Sequence, residues 1–129
     1  MMIKGKDVYV VFEDGTSLWW LRFLRHNYRH CRAFIKITPK IYIELNPLSN
    51  QMFLFVHIFD NSRQFYKVIH KMNYVKTRIE NAPLKTAPAF CFTCVEAIKR
   101  LLGIHNFWII TPYDLYTYLI SCRKKILTN

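Results

Sequence analysis

Two runs of alternating residues, divided by Thr38-Pro39-Lys40, constrain the fold of this chain more than any other feature. From His30 to Ile37, the residues Cys31, Ala33, Ile35 and Ile37 share one face, and His30, Arg32, Phe34 and Lys36 share the other. From Ile41 onward, Ile41, Ile43 and Leu45 alternate with Tyr42, Glu44 and Asn46 until Pro47 ends the run. A period of two is that of a strand, because successive side chains point to opposite faces of a sheet. Two such runs joined by a short turn make a β-hairpin. If the loop is Thr38-Pro39-Lys40, Ile37 faces Ile41, Glu44 faces Phe34 and Asn46 faces Arg32.

The remaining elements fall around that hairpin. Asp7 to Phe12 is a short strand ending at the turn Glu13-Asp14-Gly15, and Ser17 caps a short helix over 18–25. Gln51 to Phe59 is a third strand of this group, with Phe53, Phe55 and His57 on one face. Asp60 or Asn61 caps a helix running to about Met72, with the stripe Phe65, Val68, Ile69 and Met72. A strand follows over 74–79, then a proline-containing loop over 81–90. A helix from Cys94 to Leu102 stops at Gly103, and a second one starts at Thr111-Pro112 and runs to about Arg123. Strands joined by tight turns and interspersed with helices predict an antiparallel sheet packed against helices, an α+β fold. With 129 residues and no linker-like stretch, residues 1–129 are expected to form a single domain.

Composition sets the outer limits on function. Ten Phe, eight Tyr and three Trp supply a large core. Nineteen Lys and Arg against eight acids give a net charge of +11. That excess favours acidic partners such as nucleic acid or an anionic surface, although a general bias toward Lys, Ile, Asn and Tyr would produce the same balance. No run reaches the roughly 18 apolar residues of a transmembrane helix. No apolar stretch follows the first lysines, so no export signal is expected, and the location is expected to be cytoplasmic or virion-associated. Four cysteines in such a setting are expected to be reduced.

Cys94 stands out among them. Thr93 followed three residues later by Glu96 is a capping box, which makes Cys94 the first residue of a helix. The exposed amides and positive dipole end there favour a thiolate over a thiol. A thiol nucleophile also needs a base in reach, and that base needs a third polar group to orient it. His30 opens a strand and is the preferred base. His57 is expected to be a packed core histidine and His70 a solvated one; His26 and His105 lie near element ends.

A histidine opening a strand, a hairpin into Ile41-Tyr42-Ile43-Glu44-Leu45-Asn46-Pro47, and a cysteine opening a later helix resemble the circularly permuted papain-like thiol enzymes. That group contains lecithin–retinol acyltransferase and the permuted NlpC-type hydrolases. The resemblance covers roughly residues 5–122, and it departs from the family where Cys31-Arg32-Ala33 replaces the small residues that commonly follow the histidine. It implies a permuted papain-like fold and a hydrolase or acyltransferase working through a thioester on an acyl or peptide substrate. Cys94 would be the nucleophile and His30 the base. The family pattern places the third residue at Glu44. Strand register instead favours Asn46, since opposite residues lie about 5 Å apart and each step along a strand adds about 3.3 Å. Glu44 ranks first and Asn46 second. No cofactor or metal is expected.

Other functions compete. Cys91-Phe92-Thr93-Cys94 is a C-x-x-C, but Ala87-Pro88-Ala89-Phe90 before it is not a strand as redox motifs of that kind require. Zinc would need two further ligands, and Cys31 and Cys122 form no second knuckle. Cys31, Cys91 and Cys122 are expected to be small buried hydrophobes. Basic and aromatic residues interleave from Trp19 to His30, as in nucleic-acid-binding surfaces. A non-catalytic protein binding a partner through the tyrosines of residues 111–119 is the remaining alternative.

Overall fold

The computed structural model describes residues 5–14, 25–48, 51–79, 94–106 and 108–128. The helix expected over 18–25 lies mostly outside them, as do Cys91, Phe92 and Thr93. The described chain is α+β. Five strands, β1 (Asp7–Glu13), β2 (His30–Lys36), β3 (Ile41–Leu48), β4 (Gln51–Ile58) and β5 (Asn73–Arg78), form one sheet with three helices, α1 (Ser62–Ile69), α2 (Cys94–Leu102) and α3 (Pro112–Thr128). The strand order is β4-β3-β2-β1-β5, and every neighbouring pair is antiparallel.

The hairpin register follows from its turn. Ile37 and Thr38 both donate to the carbonyl of Ile41, and the Thr38 hydroxyl accepts the amides of Lys40 and Ile41. Phe34 therefore faces Glu44, and Ile35 faces Ile43. β1 is buried from Val8 through Phe12, because helices cover both faces of the sheet. On one face, Val8, Val10, Phe12, Cys31, Ala33 and Ile35 pack with Val95, Ile98 and Leu102 of α2 and with Leu115 and Leu119 of α3. On the other, Tyr9, Val11, Phe34 and Tyr42 pack with Phe65 and Ile69 of α1. The Tyr42 and Phe65 rings stack there at 3.7 Å between centroids.

Helix ends obey local rules, with one correction. Asn61 is the N-cap of α1, its side chain accepting the Gln64 amide at 3.0 Å. That helix stops at Ile69 rather than Met72, because Asn73 must already pair with Phe12 of β1. Val68, expected in the buried stripe, is 44 % exposed as a result. Gly103, with φ at 75°, ends α2, and the amide of Ile104 returns to the carbonyl of Lys99 at 2.8 Å. Thr111 and Asp114 cap α3 reciprocally, each side chain accepting the other's amide, with Pro112 as the first helical residue. α3 extends to Thr128, past the expected end near Arg123.

Candidate active site

The amides of alternate β3 residues point toward β2. Ile41 bonds to Thr38 in the turn, so Ile43, Leu45 and residue 47 continue that series. Residue 47 is proline and has no hydrogen to give. The β2–β3 ladder accordingly stops at Ala33↔Leu45. Past that rung the two strands carry His30 and Cys31 on one side and Asn46 and Pro47 on the other, with no ladder between them. α2 packs over β2 and β3 and starts with Cys94.

These placements bring Cys94, His30, Asn46 and Cys31 together. His30 is 4 % exposed, and its Nε2–H donates to Asn46 Oδ1 at 2.8 Å. That bond leaves Nδ1 of the neutral ring as the acceptor. His30 also hydrogen-bonds the Cys94 side chain. Cys94 is half-buried and takes two further bonds from Cys31, one from the thiol and one from the main chain.

The electrostatics follow from those contacts. The Cys31 thiol bond does most to favour the Cys94 thiolate; burial opposes it, His30 reinforces it, and the Cys94 pKa falls to about 5. Burial by itself would depress His30, but its bonds to Cys94 and Asn46 and the field of Glu13 raise its pKa above the ordinary value. Between those two pKa values the pair is a thiolate beside an imidazolium. Cys31 is fully buried, and burial together with the neighbouring Cys94 holds its thiol protonated, so it acts as a donor.

The ranking of Glu44 ahead of Asn46 is corrected by this geometry. Glu44 lies one pleat earlier on β3, within the laddered region facing Phe34. Its Oε1 accepts from Arg32 at 2.8 Å and its Oε2 meets His57 Nε2 at 2.7 Å. Arg32 also lies 3.4 Å from Glu13. His57 is corrected too: its side chain is 38 % exposed rather than packed in the core. His70 is exposed, as expected, and His26 pairs at the surface with Asp14.

Two features were not evident in the sequence. Cys31 was expected only to fill space, and its position beside His30 was the one available signal. Lys99 was unremarked, yet it is 3 % exposed and donates to Glu96 at 2.7 Å and to the Ile109 carbonyl at 3.1 Å. Those bonds tie α2 to the segment leading into α3. A cavity of about 600 Å³ opens at the end of β1, lined by Glu13, Asp14, Tyr28 and Lys71 among others, and neither Cys94 nor His30 lines it.

Among the described residues no group of three or more His, Cys, Asp and Glu side chains is arranged to hold a metal ion. None of the described helices is long and apolar enough to cross a membrane. Comparison with known family models, curated proteins and solved structures gave no match for this chain.

Proposed function

We propose that the protein is a cysteine-dependent hydrolase or acyltransferase of the permuted papain-like type, acting on an amide or ester through a thioester. The observation that carries this reading is the shared use of one buried imidazole: His30 bonds Asn46 through Nε2 and also interacts with the Cys94 thiol. Strand order supports it as well, since the histidine strand precedes the cysteine helix in the chain.

The chemistry follows from the contacts. His30 holds the proton of Cys94, and the thiolate attacks the acyl carbon. Amides at the start of α2 face the developing oxyanion. His30 then gives its proton to the departing amine or alcohol as the carbon–nitrogen or carbon–oxygen bond breaks. Water or an amine attacks the thioester, His30 takes the incoming proton, and the Cys94 thiolate leaves. Asn46 keeps the ring aimed and holds the proton-bearing nitrogen on Nε2 throughout.

Alkylation with iodoacetamide at about pH 6, where ordinary thiols are almost wholly protonated, tests the nucleophile. Wild type is expected to label at Cys94, located by peptide mass spectrometry, and Cys94→Ala to lose that labelling while keeping its circular dichroism spectrum. Equal labelling of the two proteins would sink the proposal.

A further inference from the structure

The two edges of the sheet are built differently. On β5, Lys76 and Arg78 are exposed and pair with Asp7 of β1, which places charge along that edge. β4 has no Lys, Arg, Asp or Glu in its eight residues, and among the described residues no strand pairs with its outer side. Leu54 and Val56 are each 66 % exposed and Ile58 is 77 % exposed. Long apolar edges without charge or proline invite pairing, and folded monomers generally avoid them.

We propose that β4 is the interface of a two-fold symmetric dimer, in which it pairs antiparallel with β4 of a second copy of this chain and joins two five-stranded sheets into one.

The backbone is self-complementary for this. Phe59 donates to the Lys40 carbonyl at 2.7 Å, so its amide points toward β3. Amides alternate along a strand, and those of Ile58, Val56, Leu54 and Met52 therefore point to the free side. A two-fold axis at Phe55 sets Leu54 against the second copy's Val56, and Met52 against its Ile58, as hydrogen-bonded rungs. Those four share the face of Leu45 and Ile43. On the opposite face Phe55 meets its own counterpart and Phe53 meets His57. Aliphatic groups thus meet aliphatic ones, and rings meet rings.

Charge and exposure favour a second copy over other occupants. At a net +11, copies of the chain repel wherever basic residues face one another, and β4 brings none to the axis. An acidic partner or nucleic acid would need cations on the strand, and it has none. Six apolar side chains of β4, Met52 to Val56 and Ile58, are between 37 % and 77 % exposed, and pairing would cover part of each beside the main-chain ladder.

Sedimentation velocity on the full chain reads mass rather than activity, so its outcome is separate from that of the thiol chemistry. Mass is expected to rise from 15.6 kDa toward twice that value with concentration. Association is expected to strengthen from about 0.15 to about 0.5 M salt, because screening relieves the repulsion between two basic copies. Val56→Pro removes an outward amide without touching the β3 ladder, and Leu54→Lys sets two cations near the axis. Each is expected to weaken association at least tenfold with an unchanged circular dichroism spectrum. A wild type that stays at 15.6 kDa at about 100 µM in both salts overturns the proposal, as does association equally strong in both variants.

Discussion

His57 and His30 lie on the two strands that flank β3, and each turns its Nε2 toward an oxygen on β3. The partners differ. His57 meets the Glu44 carboxylate, whose other oxygen already takes the Arg32 guanidinium. That carboxylate has one oxygen on a guanidinium and the other on an imidazole, and the cluster sits where the ladder is intact. His30 meets a neutral amide oxygen, which fixes the ring without supplying charge and leaves a second nitrogen for Cys94. One imidazole completes a carboxylate cluster, and the other is held by a neutral amide beside a cysteine.

Substitutions can pull that contrast apart, the largest effect first. His30→Ala removes a major support of the Cys94 thiolate. The alkylation midpoint is expected to move from about 5 toward the ordinary thiol value of 9.0. Because the Cys31 bonds remain, the midpoint should stop short of that value, and labelling at about pH 6 should fall at least about tenfold. In wild type the rate should be level above the midpoint and drop only as pH falls through about 5, since protonation quenches the thiolate. A profile still climbing near pH 9 would contradict the depressed thiol.

Glu44→Gln should act on stability instead. It removes the shorter of the two carboxylate contacts of Arg32, which is only 19 % exposed and keeps Glu13 at 3.4 Å, at a cost of about 1.5–3 kcal/mol in urea unfolding, with Cys94 labelling at pH 6 unchanged. Loss of labelling in a folded Glu44→Gln protein would return Glu44 to the site. Asn46→Ala reverses the pattern: acyl-transfer or labelling rates are expected to fall about tenfold, with a small change in unfolding midpoint. His57→Ala should do least, under about 1 kcal/mol, because the imidazole is 38 % exposed and Glu44 keeps Arg32. A penalty as large as that of Glu44→Gln would show that His57 is no bystander to the cluster.

The sequence makes the hairpin and its register legible, because alternation and the Thr38-Pro39-Lys40 turn are local properties. The same holds for Cys94 at the start of α2, which depends on spacing within one helix. The choice between Glu44 and Asn46 was legible in part, since strand register favours Asn46, which meets His30, while the family pattern favours Glu44. Both lie on the same face of β3, and which one reaches His30 depends on where the ladder stops. β4 was opaque in another way: an apolar strand reads as core, yet its exposure is set by its place at the edge of the sheet. The early end of α1 reflects tertiary pairing of β5 with β1 overriding a helical pattern that runs on to Met72.

Pro47 gives the site a property of a different kind. The β2–β3 ladder stops short because a pyrrolidine ring occupies the place of a hydrogen, and no change of pH, salt or redox state restores that hydrogen. The charges of Cys94 and His30 are conditional on their surroundings. The end of the ladder beside them is written into the covalent chain.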